Sequence, residues 1–123
     1  MNPGLLLLLA WWAPDPSQYF DKHVAPIFIR RCLPCHNQQL NNGGIAFDDR
    51  DTLFKGGRHG PAIVPGKPQD SYLIKTLQHT GDTQMPPGLK LPSKEIKILT
   101  DWIGRGAVWG SPLKAKQGNS VPW

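Results

Sequence analysis

The stretch Cys32-Leu33-Pro34-Cys35-His36 decides how the rest of this chain is read. Two thiols three positions apart, followed at once by an imidazole, are the pattern of covalent haem attachment. Each cysteine forms a thioether to a haem vinyl group, and the histidine becomes the proximal ligand of the iron. Cys32 and Cys35 are the only cysteines in the 123 residues. The motif therefore predicts one haem c per chain, held by Cys32, Cys35 and His36.

The sequence gives less support to three other interpretations of the cysteine pair. A structural zinc site needs four ligands, usually from two such pairs, and the sequence has no second pair. A thioredoxin-like redox pair needs a strand and helix of a βαβ unit around it, and the flanking sequence does not supply them. A disulfide between Cys32 and Cys35 stays open as an alternative, although it would leave His36 without a role.

The composition indicates a small single domain with long loops and short helices. The chain has 13 Gly and 13 Pro, and only 39% of its residues are hydrophobic. Such a chain usually needs a cross-link or a bound group to stabilise its fold, and a covalent haem with its apolar faces would supply one. The net charge of +5 favours an acidic partner surface. Nucleic acid is not indicated, because no dense Lys/Arg stripe is interleaved with aromatic residues.

The distribution of apolar, charged, glycine and proline residues divides the chain into three regions. Residues 1–16 contain an apolar run at 5–13 that is too short to span a bilayer. The run lacks a preceding Lys or Arg and a small residue suited to cleavage, so two interpretations stay open: an export signal, or a retained docking segment. Residues 17–110 form the predicted domain, and residues 111–123 form an extended, basic tail.

Apolar spacing predicts an all-α domain, and neither strand alternation nor an internal repeat is visible. Within a first helix over residues 17–31, Pro26 predicts a kink or a fresh start. A short helix is expected over 49–54, another from Pro68 that fades by 79–81, and a last one after Ser93 as N-cap, with Glu95 in its first turn. The buried stripe of the last helix is expected to contain Ile96, Leu99, Trp102 and Ile103. Candidates for packing on the haem edge are Ile45, Phe47, Leu53 and Phe54, and the open alternative is that they belong to an ordinary hydrophobic core.

Met85 is the predicted second axial ligand. It lies in a proline-stiffened loop between two predicted helices, and such a loop can carry a thioether across a haem face. A thioether favours Fe(II), so His/Met ligation raises the reduction potential relative to His/His ligation. The alternative is that Met85 only fills space in the hydrophobic core and binds no metal. His59 and His79 are the rival ligands, although both are better read as surface histidines, and His23 is read as solvated or hydrogen-bonded.

An ordered series of short motifs resembles the monohaem class I cytochrome c domain, and more narrowly the planctomycete-type cytochrome c domain, over residues 19–109. The resemblance implies a cytochrome c-like helical fold, with first and last helices crossing and with loops wrapped around one haem c. It also implies His36 as proximal and Met85 as distal ligand, and export to the periplasm or another extracytoplasmic space before haem attachment. The matching pieces are Val24-Ala25-Pro26-Ile27-Phe28, Cys32-Leu33-Pro34-Cys35-His36, Gly43-Gly44-Ile45, Gly56-Gly57, Gly60-Pro61-Ala62-Ile63-Val64-Pro65-Gly66, Ser71-Tyr72-Leu73-Ile74, Met85-Pro86-Pro87 and Trp102-Ile103-Gly104-Arg105-Gly106-Ala107.

These observations predict a non-enzymatic electron carrier that cycles Fe(III)/Fe(II) and meets redox partner proteins. Two alternatives stay open. In the first, the chain is a haem-bearing subunit of a multi-subunit or membrane-associated assembly, held by its apolar N-terminal segment and its C-terminal tail. In the second, Met85 dissociates and leaves a peroxidase-like haem site.

Overall fold

The computed structural model describes residues 15–37, 39–40, 44–81 and 83–113. The predicted N-terminal segment and most of the predicted tail lie outside these residues. Within them the secondary structure is helical and no strand is formed, which confirms the all-α prediction. The helices are α1 (Pro16–Tyr19), α2 (Ala25–Arg31), α3 (Arg50–Lys55), α4 (Tyr72–Leu77) and α5 (Ser93–Gly104). None of the helices in these ranges has the length and apolar character needed to cross a membrane.

The first helix is continuous over residues 16–31 but changes its winding in the middle. A π-helical segment, Phe20–Val24, joins α1 to α2. Pro26 lies at the beginning of α2, where it has no N–H to donate and its ring would crowd the carbonyl group of residue 22 in a regular α-helix. The helix therefore widens before the proline and returns to α-helical winding at Ala25, so the irregularity that the sequence predicted at Pro26 takes the form of a π-helical segment.

The core lies between this first helix and α5. Phe20, Val24 and Phe28 are buried on one side of the first helix, at the i, i+4, i+8 spacing of a single stripe. The Trp102 ring of α5 lies 5.5 Å from the Phe20 ring and 5.7 Å from the Phe28 ring, between centroids. The first and last helices are thus packed together through aromatic side chains. Leu99 and Ile103 are buried as predicted, whereas Ile96 is only partly buried.

The helix predicted from Pro68 is in fact two pieces. A 3₁₀ turn, Pro68–Asp70, is separated from α4 by Ser71, which is extended and fully buried. The first N–H groups after Ser71 donate to the carbonyl groups of Pro61 and Ala62 at 3.2 and 3.0 Å. These long-range hydrogen bonds replace the ones that a continuous helix would have made, so the sequence prediction of one helix was wrong.

The last helix also begins differently from the prediction. Ser93 is the first helical residue rather than the cap, and Pro92 occupies the N-cap position without a side-chain hydrogen bond. The Pro92 carbonyl already accepts hydrogen bonds from the N–H groups of Glu95 and Ile96, at 2.9 and 3.2 Å. The short helix expected over 49–54 is present as α3, one residue later. Asp49 is its N-cap, and the Asp49 carboxylate accepts a hydrogen bond from the Asp51 N–H group.

The first residues of the predicted tail pack on the domain. The Ser111 N–H and hydroxyl groups both donate to the Asp21 carboxylate, at 2.7 and 3.0 Å, and Leu113 is buried. The packed part of the chain therefore continues three residues beyond the boundary at 110 that the sequence suggested.

Candidate cofactor site

The Cys32–His36 motif forms one helical turn directly after α2. The Cys32 carbonyl group accepts hydrogen bonds from the N–H groups of Cys35 and His36, at 3.1 and 2.9 Å, and the Leu33 N–H group donates to the Phe28 carbonyl at 2.9 Å. Residues three and four apart in such a turn lie on the same side. Both thiols and the imidazole therefore line one cavity.

The cavity has a volume of about 290 Å³ and is mostly apolar. Met85 enters it from the loop after α4, so the structure brings the four predicted site residues together at a single cavity. Two thiols, an imidazole and a thioether around an apolar space are the donor set that a c-type haem uses, and these residues fit that group. The other side chains and backbone segments that line the cavity belong to Arg31, Ile45, Phe47, Gly57, Arg58, His59, Gly60, Ala62, Tyr72, Leu73, Thr76, Leu77, Thr83, Pro86, Pro87 and Leu91.

His36 carries the observation that bears most directly on metal binding. Its Nδ1 atom is buried and has no hydrogen-bond partner within the described ranges. Its backbone is fixed, since the His36 carbonyl accepts a hydrogen bond from the Phe47 N–H group at 2.6 Å and the Phe47 ring lies 5.7 Å from the imidazole. A buried polar atom without a partner calls for an explanation. An imidazole held for a metal supplies one.

The two cysteines differ in their surroundings. Cys32 is 7% exposed, whereas Cys35 is exposed. Burial raises the pKa of the Cys32 thiol to about 12, with smaller contributions of the same sign from Cys35 and Glu95, and Arg31 opposes them. The Cys32 side chain is therefore a neutral thiol at pH 7 and belongs to the apolar wall. Consequently the Cys32 side of the cavity is closed by the core, and the Cys35 side faces solvent.

The three other histidines occupy different positions. His59 is exposed, lines the cavity and stacks on Tyr72, with 4.7 Å between ring centroids and 15° between planes. His79 is outside the cavity lining, and its Nε2 atom lies 3.2 Å from the Met85 carbonyl oxygen. His23 is exposed on the first helix, beside the Tyr19 ring.

The apolar residues predicted to pack on the haem edge divide into two pairs. Ile45 and Phe47 line the cavity. Leu53 is fully buried in the core, and Phe54 lies against Trp109 with 6.4 Å between ring centroids. The second pair therefore belongs to the core, which is the alternative that the sequence left open. Residues 53 and 54 belong to α3, which buries its apolar side in the core behind the cavity.

Glu95 is a residue whose importance the sequence analysis missed. It is 7% exposed, and its two carboxylate oxygens accept hydrogen bonds from Arg31 Nε and Nη2, each at 3.1 Å. Arg30 Nη2 lies 3.7 Å from the same carboxylate. The hydrogen bond with Arg31 lowers the pKa of Glu95 and raises that of Arg31. A signal was present in the sequence, because Glu95 lies four residues before Leu99 and seven before Trp102, which places it on the buried stripe.

Residues 32–88 match the family model described as Planctomycete cytochrome C. The matched range begins at the first cysteine of the attachment motif and ends three residues after Met85, so it contains all four predicted site residues. No curated protein matches the chain, and no solved structure matches it.

Proposed function

We propose that this chain, which contains a planctomycete-type cytochrome c domain, is an electron carrier with one covalently bound haem c and His36/Met85 axial ligation. One observation carries the proposal: two thiols, an imidazole and a thioether line a single, mostly apolar cavity. The thioether comes from a loop far along the chain from the other three groups, so the fold rather than the local sequence brings it to the cavity.

Each of the four residues has a distinct role in this proposal. The Cys32 and Cys35 sulfurs form the thioethers that tether the cofactor, His36 supplies a nitrogen ligand and Met85 a sulfur ligand. Haem c supplies a one-electron Fe(III)/Fe(II) couple. The protein's part is to hold both ligands and to keep water away, and the buried residues Phe47, Leu73 and Leu77 in the cavity wall serve the second purpose.

Electron transfer is favoured over peroxide chemistry because His36 and Met85 would both be bound to the iron. A substrate would then find no open coordination site. The proposed route for the electron is the haem edge on the Cys35 side, since Cys35 is exposed whereas Cys32 is closed in by the core. An enzyme reaction at this site would require Met85 to leave the iron.

The partners in this proposal are redox proteins that meet the domain outside the cytoplasm. A net charge of +5 favours acidic surfaces on those partners. Export follows from the proposed cofactor, because attachment of a c-type haem takes place outside the cytoplasm in the family that the chain resembles. The apolar segment and the tail are proposed as additional docking elements toward a larger assembly.

Replacing Met85 tests the ligand assignment. Met85→Leu keeps an apolar side chain of similar size but has no sulfur, and Met85→Ala removes most of the side chain. Both variants should lower the reduction potential, abolish the far-red charge-transfer band of a methionine-ligated ferric haem and let imidazole bind the iron. Intact mass measured beforehand should show one haem added to the chain.

The matched control is Leu89→Ala, a change in the same loop at a side chain that is 66% exposed. It should leave the potential and the spectrum as they are in the unchanged protein. If Met85→Leu also left both unchanged, the iron would have another distal ligand, and the proposal of His/Met ligation would fail. A chain mass without haem would remove the electron-carrier proposal altogether.

A further inference from the structure

The backbone of Met85 is held on both sides, by Thr76 in the last turn of α4 and by His79 just after that helix. The Met85 N–H group donates to the Thr76 carbonyl at 3.1 Å, and the Met85 carbonyl oxygen lies 3.2 Å from His79 Nε2. Thr76 is itself buried, and its hydroxyl group donates to the Leu73 carbonyl at 2.7 Å. Two contacts therefore hold the loop that carries the Met85 thioether: a backbone hydrogen bond to the buried Thr76 and a side-chain contact from His79.

His79 has a backbone conformation that needs an explanation. Its φ is +57°, in the left-handed region, where a residue with a side chain is disfavoured by roughly 1–2 kcal/mol. Glycine would fit such a position without that strain, and asparagine, like histidine, adopts it more often than most residues do. Strain of this kind points to a use for the residue that carries it. At residue 79 the use visible in the structure is the contact with the Met85 carbonyl.

The proton on the imidazole can be assigned from the partner. A carbonyl oxygen only accepts, so the hydrogen bond requires the proton on His79 Nε2 and makes that nitrogen the donor. The ring does not line the cavity. His79 thus reaches the Met85 backbone from outside and leaves the thioether side chain free to face the cavity.

From these contacts we propose that His79 is the positioning residue for the distal ligand: its Nε2–H group holds the Met85 carbonyl and keeps the loop where the sulfur can reach the iron. The inference rests on the proposed His36/Met85 ligation. It adds that the Met85–iron bond depends on a hydrogen bond made outside the cofactor site. Without that bond the thioether dissociates more often, and an added ligand competes more successfully for the iron.

Three substitutions separate the hydrogen bond from the backbone conformation. His79→Asn keeps a residue that tolerates the left-handed region but is too short to reach the carbonyl. His79→Gly removes the side chain and the strain together. His79→Gln carries an amide N–H about as far from the backbone as Nε2 and serves as the conservative rescue. His23→Asn is the control, because His23 is exposed and lies beside Tyr19 rather than Met85.

The measurement is imidazole binding to the ferric, haem-loaded protein, followed with the methionine–iron charge-transfer band at one fixed pH. A hydrogen bond of ordinary net strength predicts that the Asn and Gly variants bind imidazole roughly threefold to tenfold more tightly. Their charge-transfer band should also be weaker. The imidazole affinity and the band intensity of the Gln variant should return toward those of the unchanged protein. The His23→Asn control should have the same affinity and band as the unchanged protein.

The outcomes distinguish this inference from the function on which it rests. If Met85→Leu opens the iron to imidazole but the Asn and Gly variants bind it as weakly as the unchanged protein, Met85 is the ligand and His79 does not position it. If the Asn and Gly variants bind more tightly and Gln fails to restore the band, the imidazole acts through packing and the inference is wrong. If Met85→Leu has no effect, both fall.

Discussion

Replacing Glu95 should destabilise the domain more than an ordinary surface carboxylate would. The residue begins the buried stripe of α5 and accepts two hydrogen bonds from Arg31, the last residue of α2. Cys32 directly follows Arg31, so this ion pair joins the last helix to the beginning of the attachment motif. In Glu95→Gln the amide group still accepts one hydrogen bond but points a donor at the guanidinium group.

The expected loss follows from how far the pair is removed from water. The Glu95 side chain is 9% exposed and that of Arg31 is 32% exposed, so the pair lies between the exposed and buried limits. Exposed pairs contribute about 0–1 kcal/mol, and breaking a buried pair costs about 3–5 kcal/mol. We expect Glu95→Gln to lower the free energy of unfolding by about 2 kcal/mol at pH 7.

The pH dependence of this loss has a definite sign. Hydrogen bonding to Arg31 lowers the pKa of Glu95 below its ordinary value of 4.5. A carboxyl group with a lowered pKa in the folded state stabilises that state fully above its unfolded pKa and less as the pH falls through the folded one. The difference in unfolding free energy between the two proteins should thus be constant above about pH 5 and shrink below pH 4.5.

Urea unfolding of the haem-loaded proteins, followed by circular dichroism and haem absorbance, measures this difference at pH 7 and at pH 3.5. Asp101→Asn is the matched control on the same helix, where Lys97 Nζ and Asp101 Oδ2 are 2.8 Å apart in a pair with exposed side chains. It should cost about 0.3–0.5 kcal/mol. A Glu95→Gln loss no greater than the control, or one of equal size at both pH values, would refute the reasoning.

Two further predictions concern the loop beside the cavity and the ends of the chain. Gly56 has φ +85° and ψ 177°, and a Cβ there would overlap the Gly60 carbonyl group, so Gly56→Ala should lower the urea midpoint by an amount equivalent to about 3 kcal/mol. Gly104→Ala, whose Cβ meets open space, should change stability by less than about 1 kcal/mol; equal losses in the two variants would contradict the steric argument. If the terminal segments dock copies of this chain on one another, residues 15–113 alone, which keep the Ser111–Asp21 hydrogen bonds, should have a lower oligomeric mass in solution than the full chain. The same oligomeric state in both would remove the assembly role.

Local signals were sufficient for much of this fold. The first helix and its irregularity near Pro26 depend on neighbours within one helix, and the sequence predicts both. The attachment turn is also local, because it spans five residues that hydrogen-bond to one another. For Met85 the sequence predicts a loop between helices, and the structure places that loop at the cavity.

Hydrogen bonds between separate segments of the chain account for the features that the sequence analysis missed. The break at Ser71 exists because the first N–H groups of α4 donate to the carbonyl groups of Pro61 and Ala62 instead of to those of the 3₁₀ turn before it. Glu95 was interpreted as a helix-dipole residue because its partner Arg31 is 64 residues away. His79 was interpreted as a surface histidine because nothing in its neighbourhood announces a contact with a backbone carbonyl. In each case a partner outside the residue's own helix or turn determined the structure, and for Glu95 that partner is far away along the chain.

Both halves of the candidate site are built in the same way, at the end of a helix. The carbonyl group of Cys32, just after α2, accepts the N–H groups of Cys35 and His36, and the carbonyl group of Thr76, in the last turn of α4, accepts those of His79 and Met85. The last carbonyl groups of a helix have no partner within the helix, so each helix end can hold a turn that carries ligands. A chain rich in glycine and proline, with short helices, has many such ends. It can therefore bring His36 and Met85 to one cavity, with no strand among the described residues to support them, which is why a site of this kind is compatible with so small a core.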